Sequence, residues 1–177
     1  TQIVSRWPAR GGVVIRDDVL YWGAGIWQSE GIFLHAMNPE TGERLWTNDT
    51  SGGIEMPQPH GGANAKSGVS AQGYLLASDQ QLFVPTGRAV PAAFHRSNGE
   101  FEYYRLQENT QIGHTTAVVH GDLFYNGGYA YQAVDGSVLA DRLPGVVAAY
   151  PGGVIHGTAN RLAALTVGTK ETVDRRG

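Results

Sequence analysis

The chain has 177 residues, a formal net charge of −3 and no cysteine. Charged residues make up 16% and hydrophobic residues 41%, a balance that excludes a disordered chain. The small negative charge provides no field that attracts a nucleic acid backbone, and without cysteine there is no disulfide scaffold, thiolate metal site or cysteine nucleophile. The length predicts one domain.

Hydrophobic residues occur in short runs separated by Gly, Pro, Asn and Asp, and no stretch of a dozen residues has the spacing of an amphipathic helix. The longest uncharged run, 143–160, contains two prolines and four glycines, so no membrane-spanning helix is predicted. The sequence therefore predicts an all-β fold. In chain order the predicted strands are 12–15, 19–22, 32–37, 44–47, 73–77, 82–84, 92–95, 101–106, 115–119, 123–125, 129–133, 146–149, 154–156 and 161–165.

One order of features recurs along these strands. In its first two copies a glycine follows an alanine by six residues, and an aromatic residue follows the glycine by four. These residues are Ala36, Gly42 and Trp46 in the first copy and Ala93, Gly99 and Tyr103 in the second. Each copy predicts a small antiparallel sheet with a glycine turn between its last two strands, which buries its faces by stacking on neighbouring sheets.

Two weaker copies follow. The third, aligned on Ala133 and Gly136, has a shortened turn and no closing aromatic residue, and the fourth is the loosest. The predicted repeat units cover approximately residues 10–47, 69–106, 112–142 and 145–168, with a long inserted loop at 47–69. Because the loop has no predicted strand, we expect it to be functional or mobile, although an idle insertion remains an alternative.

The segment 36–46, Ala-Met-Asn-Pro-Glu-Thr-Gly-Glu-Arg-Leu-Trp, resembles the A-x-D-x-x-T-G-x-x-x-W repeat of quinoprotein-like (PQQ-like) β-propellers. The match is good over the first unit, fair over the second and loose over the others. The resemblance implies four-stranded antiparallel blades, about four in this chain, belonging to a larger ring of seven or eight. An arc of four blades would expose both end faces, so we expect it to join further blades or to self-associate.

The resemblance also implies structural roles. The motif's tryptophan docks between neighbouring blades and its glycine lies near that ring, roles that fall on Trp46 and Gly42, with Tyr103 and Gly99 as their counterparts in the second copy. Trp46 is therefore expected to be buried between blades.

The chain departs from the motif at its acidic position, which is Asn38 in the first copy and His95 in the second. We expect altered hydrogen bonding in both turns. A quinone-binding member of the family has an adjacent cysteine pair and a calcium site, whereas this chain has no cysteine and no matching group of acids and amides. No catalytic residue is carried over, and no cofactor is expected.

Candidate binding residues come from the connections, where functional side chains tend to collect. Aromatic rings stack on sugars and arginine binds carboxylates, so these residue types suit a carbohydrate or peptide surface. The candidates are Trp27 in the insertion 24–31, His60 in the long loop, Arg88, His114 and Tyr129, with Tyr131 beside the last. If Trp27, His60 and Arg88 form a joint site, they lie on one face of the propeller. Packing within the propeller is the alternative.

The other polar features favour structural roles. The six histidines have no short metal-ligand spacing, so no metal site is predicted. The acid pair Asp17 and Asp18 is interpreted as a solvated hairpin tip. No nucleophile elbow or paired carboxylate motif is present in the sequence.

Together these features favour a non-catalytic, extracytoplasmic propeller of the periplasm or cell envelope that serves as a protein- or polysaccharide-binding scaffold. The alternative is a fragment of a propeller enzyme, a quinone-dependent oxidoreductase or a polysaccharide-degrading enzyme, with its catalytic residues outside this chain. The expected partners are a protein or a polysaccharide, with no nucleic acid.

Overall fold

The computed structural model describes residues 5–58, 63–87, 89–106, 113–140, 143 and 145–166. Four antiparallel sheets, which we number as blades one to four, follow one another along the chain. Blade one contains β1 (Ala9–Arg16), β2 (Val19–Ala24), β3 (Phe33–Met37) and β4 (Arg44–Asn48). A separate hairpin, β5 (Glu55–Pro57) and β6 (Asn64–Lys66), lies between blades one and two.

The later blades repeat this meander. Blade two contains β7 (Leu76–Ala77), β8 (Gln81–Val84), β9 (Ala89–His95) and β10 (Phe101–Leu106). Blade three contains β11 (Ala117–His120), β12 (Leu123–Asn126), β13 (Tyr129–Gln132) and β14 (Val138–Ala140). The described part of blade four has three strands, β15 (Val146–Tyr150), β16 (Gly153–Thr158) and β17 (Arg161–Leu165).

The predicted all-β fold of propeller blades is confirmed. The sequence did not predict β14, a strand too short to show alternation, or the hairpin β5–β6. The inserted segment 47–69 therefore contains secondary structure, including a 3-10 turn at Ser51–Gly53.

The blades stand side by side with the same orientation. Their innermost strands contact one another in the order β1, β7, β11, β15, and Gly12 forms a parallel bridge with Tyr74. The turns β1–β2 and β3–β4, and their equivalents, therefore lie at one end of the arc, which we call the turn end. The β2–β3 type loops and the connections between blades lie at the other end, the loop end.

The hydrophobic core lies between blades. Leu34 and Ala36 of blade one pack with Leu82 and Phe94 of blade two. Phe83 of blade two lies 5.2 Å, centroid to centroid, from the ring of Phe124 in blade three. The interface between blades three and four is the smallest of the three clusters and is built around Leu123, Tyr125, Ala130 and Val154.

Both ends of the stack expose apolar sheet faces. In blade one, Val13 is 60% and Ile15 is 58% exposed, and in blade four Val146 and Leu162 are 74% and 75% exposed. The described blades thus form an open arc, as the sequence predicted, and not a closed four-bladed ring.

An aromatic side chain joins blade one to blade two. Trp46 donates a hydrogen bond from Nε1 to the carbonyl oxygen of Arg96 at 2.9 Å, and its indole covers Gly99, where a Cβ would overlap the ring. Trp46 lies between blades as predicted but is half-buried. Its glycine partner is Gly99 of the next blade, whereas the resemblance had implied Gly42.

A second contact of this kind joins blades two and three. The Tyr103 hydroxyl donates to the carbonyl oxygen of Ala133 at 2.6 Å, and a Cβ at Gly136 would lie 2.7 Å from the phenol ring. In blades one and two, the aromatic residue at the end of the repeat therefore packs on the glycine turn of the blade that follows.

The three glycine turns have the same length. In each, the glycine N–H donates to the carbonyl oxygen four residues earlier at 2.8–2.9 Å, in the pairs Gly42 and Asn38, Gly99 and His95, and Gly136 and Gln132. The prediction of a shortened third turn was wrong, because the residue that aligns with Ala36 and Ala93 is Ala130 and not Ala133.

In the glycine turn of blade one, Asn38 makes the hydrogen bonds that the motif's aspartate would make. Asn38 Oδ1 accepts the N–H groups of Glu40 at 2.9 Å and Thr41 at 3.0 Å, which are bonds that an aspartate makes equally well. The expected alteration is therefore wrong for Asn38. It holds for His95, whose Nδ1 lies 2.9 Å from the Ser97 hydroxyl.

We predict that Trp46→Ala lowers the free energy of unfolding by about 3 kcal/mol, because the indole burial and one hydrogen bond are lost. Trp46→Phe keeps most of the ring contact and should cost only about 1 kcal/mol. Urea denaturation measures both. Equal stability of the wild type and Trp46→Ala would contradict the interlocking role.

A matched glycine pair tests whether Trp46 packs on the glycine turn of the next blade or on that of its own blade. Gly99 and Gly42 have φ of 73° and 72°, so alanine introduces the same backbone strain at either position. Only at Gly99 does the new methyl meet the indole, whereas nothing lies within 4 Å of it at Gly42. We expect Gly99→Ala to cost about 1–3 kcal/mol more than Gly42→Ala in thermal unfolding. Equal costs would show that Trp46 does not rest on Gly99.

Candidate binding surface

The loop after β2 forms a fixed platform at the loop end of blade one. Gly25 donates its N–H to the carbonyl oxygen of Pro8 at 3.0 Å, and a 3-10 turn at Gln28–Glu30 is closed by Glu30 N–H bonding to the Trp27 carbonyl at 3.0 Å. Gly25 and Gly31 have φ of 95° and 99°, so the bends at both ends of the loop require glycine. The loop is therefore held by its own hydrogen bonds.

Two tryptophans project from this platform. Trp27 is 63% exposed and Trp7 is 44% exposed. Trp7 donates from Nε1 to the Glu30 carbonyl and packs edge-on against Phe33, with ring centroids 5.8 Å apart. Both indoles are thus exposed to solvent, with Trp27 in the loop and Trp7 hydrogen-bonded to it. Sequence reasoning found Trp27 but missed Trp7, which lies before the first repeat unit and so has no counterpart that marks it.

Charged side chains flank the tryptophans. The Arg6 guanidinium lies 5.7 Å from the centre of the Trp7 ring and 3.5 Å from the Glu30 carboxylate. These exposed pairs contribute little to stability. Their effect is to place one cation and one carboxylate at the edge of an aromatic surface, a combination that suits a peptide or a sugar.

The other described candidates lie further along the arc. His114 is exposed in the connection before β11, and its backbone N–H and carbonyl are held by the buried Asn126 side chain at 3.0 and 2.8 Å. His114 lines a cleft of about 490 Å³ between blades three and four, together with Gly127 and Leu143. No repeat position or motif marks Asn126, which organises this connection.

The aromatic candidates of blade three differ in burial. Tyr129 is half-buried and lies 6.4 Å, centroid to centroid, from Tyr131. Tyr131 is fully buried in the interface between blades two and three, so its assignment to a binding surface was wrong. Trp27 belongs to blade one and does not line the cleft beside His114. His60 and Arg88 lie outside the described residues, so the joint site remains a prediction.

His35 serves packing. His35 stacks on Trp22 with ring centres 4.5 Å apart, and its Nδ1 lies 2.8 Å from the Thr47 hydroxyl. Burial, and secondarily the Arg44 charge, lowers the pKa of His35 below its usual value. Across the part of the chain that the structure describes, no three His, Asp or Glu side chains come together as a metal-binding group.

A polar cleft of about 960 Å³ lies at the turn end between blades two and three. Several of its charged groups bond to neighbours: Arg16 to Asp79, Glu102 to Gln81, and the Asp135 carboxylate to the Ser137 N–H at 2.8 Å. A hydrogen bond with the Ser137 side chain, and secondarily the one from its backbone N–H, lowers the pKa of Asp135 below its usual value. These bonds stabilise the wall of the cleft. Among these bonded groups, no nucleophile lies beside a general base.

The acid pair at the tip of β1–β2 also has a structural role. Asp17 accepts a hydrogen bond from Arg96 Nη2 at 2.6 Å, which ties the turn of blade one to that of blade two. Asp17 and Asp18 have φ of 49° and 56°, the positive values of a two-residue hairpin turn. The pair thus forms a hairpin tip, as predicted, and Asp17, whose side chain is 68% exposed, also bonds to the next blade.

Comparison with solved structures confirms the resemblance to quinoprotein-like propellers at the level of the fold. BamB from Moraxella catarrhalis is similar with a TM-score of 0.55 and 17% identity, over 89% of this chain and 47% of that one. A quinohemoprotein alcohol dehydrogenase from Comamonas testosteroni matches at a TM-score of 0.49 and 19% identity, over 76% and 21%. The chain thus spans about half the length of the BamB structure. No family model and no curated protein matches the sequence.

No helix in the described ranges is long and apolar enough to cross a membrane. In fold, the described chain is an arc of β-propeller blades, with an aromatic platform at its loop end and a polar cleft at its turn end.

Alkaline pH should weaken the contact between blades two and three. Burial, and secondarily the charges of Glu102 and Asp135, raises the pKa of Tyr103 above its usual value. The folded state therefore keeps the Tyr103 proton at a pH near 10, where the unfolded chain loses it. The contribution of the Tyr103 contact to the free energy of unfolding is thus complete below pH ~10 and falls as the pH rises further. Tyr103→Phe should cost about 1 kcal/mol at pH 7 and show a shallower loss above pH 10 in urea titrations. Identical pH slopes would contradict this.

Proposed function

We propose that this chain is a non-catalytic propeller segment whose function is to bind a partner protein, with the Trp7 and Trp27 platform as the contact surface. The observation that carries the proposal is the exposure of two tryptophans, Trp27 on a loop fixed by main-chain hydrogen bonds and Trp7 bonded to that loop through its indole. Exposed indoles on a rigid support are typical of binding hot spots, because little conformational entropy is lost when a partner covers them.

The fold supports a scaffold. Its interior between blades is filled by side chains, and its connections project from one end of a rigid stack. BamB, to which the chain is similar in fold, does not by itself settle the role. At the turn end, Arg16 bonds to Asp79 and Arg96 to Asp17, so these charged side chains join neighbouring turns, which favours binding over catalysis.

A protein partner fits the platform better than a polysaccharide, although both remain open to test. Arg6 and Glu30 supply one charge of each sign beside the indoles, which suits a peptide with mixed charge. The repeat motif resembles that of extracytoplasmic propellers, and on that basis we place the protein in the periplasm or cell envelope. His60, Arg88, His114 and Tyr129 remain proposed contributors to binding at the loop end.

A substitution on the platform should separate binding from stability. We expect Trp27→Ala to reduce binding to peptides on a peptide array by tenfold or more, because truncating a hot-spot tryptophan costs 2 kcal/mol or more. The melting temperature should not change, since the indole is exposed. Tyr74→Ala is the matched control, because Tyr74 is 76% exposed in another part of the fold.

A glycan array run in parallel decides between the two partner classes. Peptide binding that depends on Trp27, with no glycan signal, supports the protein scaffold. A glycan signal that Trp27→Ala abolishes would replace it with a polysaccharide-binding function. Binding that is unaffected by Trp27→Ala and by Trp7→Ala would exclude the platform as the site.

A further inference from the structure

A buried tyrosine of blade three has no hydrogen-bond partner for its hydroxyl group among the described residues. Tyr125 lies in β12, is 5% exposed, and packs at the interface with blade four. Buried tyrosine hydroxyls usually find a partner, as the Tyr103 hydroxyl does at the Ala133 carbonyl. Burial raises the pKa of Tyr125 above its usual value, and no hydrogen bond opposes this effect.

The Tyr125 hydroxyl is accessible from the cleft between blades three and four. Tyr125 lines this cleft of about 490 Å³, and its oxygen, unlike Trp22 Nε1, is not sealed from solvent. The rest of the tyrosine is enclosed by the cluster that contains Leu123, Ala130 and Val154. A partner for the hydroxyl would therefore approach it from the cleft.

Hydrogen bonds fix the segments that form the cleft. The turn between β12 and β13 consists of Gly127 and Gly128, with φ of 59° and 87°, so it places no side chain over the cleft. Leu143 donates its N–H to the Gly128 carbonyl at 2.6 Å, and Asn126 Nδ2 donates to the Thr116 carbonyl at 3.0 Å. Because the walls are already ordered, little conformational entropy is lost when a ligand binds.

His114 adds a second hydrogen-bond donor at this cleft. The Thr116 N–H donates to His114 Nδ1 at 3.2 Å, so Nδ1 carries the lone pair and the proton of the neutral ring lies on Nε2. The described lining contains no Lys, Arg, Asp or Glu, and its apolar members include Val118, Leu143 and Val147. The cleft thus combines apolar walls with two donors and no fixed charge.

This combination indicates the chemical class of the ligand. Apolar walls favour a mostly apolar molecule, and two donors favour an oxygen acceptor on it. A carboxylate would lose its hydration without meeting a cation, whereas the desolvation of a carbonyl oxygen costs much less. The volume of the cleft lies within the range of about 300–1,000 Å³ that is typical of small-molecule sites.

We propose that the cleft between blades three and four binds a neutral, mostly apolar small molecule through a carbonyl oxygen, which accepts hydrogen bonds from the Tyr125 hydroxyl and His114 Nε2. The apolar part of the ligand extends the small buried cluster between these two blades. The site belongs to blades three and four, whereas the Trp7 and Trp27 platform belongs to blade one. Either proposal can therefore fail alone.

Three probes test the ligand class on the whole chain: acetophenone, ethylbenzene and benzoate. They are similar in size and differ in the oxygen acceptor and the charge. At millimolar concentration we expect acetophenone to shift the amide NMR signals of residues 116–118, 125–128 and 145–147. Its affinity should be at least about threefold higher than that of ethylbenzene, and benzoate should shift none of these signals. Absence of shifts with acetophenone, or tighter binding of benzoate, would overturn the proposal.

Tyr125→Phe tests the hydrogen bond and keeps the ring that packs between the blades. The hydroxyl has no partner among the described residues, so we expect the melting temperature to stay unchanged. The affinity for acetophenone should fall by about three- to tenfold, while that for ethylbenzene stays the same. Tyr104→Phe is the matched control, because it removes a tyrosine hydroxyl in blade two, and it should change neither affinity.

The outcomes of these variants distinguish the two proposals. Acetophenone binding that is as tight in Tyr125→Phe as in the wild type would contradict the carbonyl site and leave only an apolar cleft. Acetophenone binding that is lost in Trp27→Ala would place the probe on the platform and would also overturn the proposal. Trp27→Ala should leave the acetophenone shifts unchanged, whether or not it weakens peptide binding.

Discussion

The architecture depends on one contact, in which an aromatic ring on the outer strand of one blade covers a glycine in the turn of the next. A four-stranded sheet is too small to bury both of its faces, so each blade is stable only against a neighbour. The glycine lets the ring approach the backbone, and the carbonyl three residues earlier satisfies the polar atom of the ring. Trp46 and Tyr103 make this contact with the same geometry although their ring systems differ. The acceptor is a backbone atom, so the contact tolerates either side chain.

Much of the fold was predictable because the repeat determines it locally. Spacing of the alanine, glycine and aromatic residue located the strands and turns of the first two blades. The spacing does not reveal which glycine an aromatic residue covers, since Gly42 and Gly99 carry the same signal. That choice depends on the offset between neighbouring blades, a long-range property. The third turn was misaligned because the prediction placed the alanine of the repeat at Ala133, although Ala130 is the one that lies six residues before Gly136. The hydrogen bond from the Gly136 N–H to the Gln132 carbonyl confirms the alignment on Ala130.

The candidate binding surface was less predictable from the sequence than the fold was. Trp27 was visible because it interrupts the repeat, whereas Trp7 lies outside every repeat unit and becomes relevant only through its bond to Glu30. Tyr131 shows the opposite error, since an aromatic residue near a hairpin is equally compatible with a surface and with a core. Its complete burial follows from packing against Phe124, with ring centroids 4.9 Å apart. Neither contact has a signal in the local sequence.

The contacts between blades weaken along the chain, and this gives the arc a direction. Tryptophan closes the first interface, tyrosine the second, and Ala140 occupies the corresponding position in the third copy. Among the described residues the buried clusters shrink in the same order, and the last contains four buried side chains. Since apolar burial is the main source of stability, the blade-one side of the arc is the strongest and blade four is held least. Opening of the structure should therefore start at blade four, while blades one and two keep the Trp7 and Trp27 platform in place. In the proposed scaffold role, this gradient would keep the platform rigid even when blade four is loosely packed.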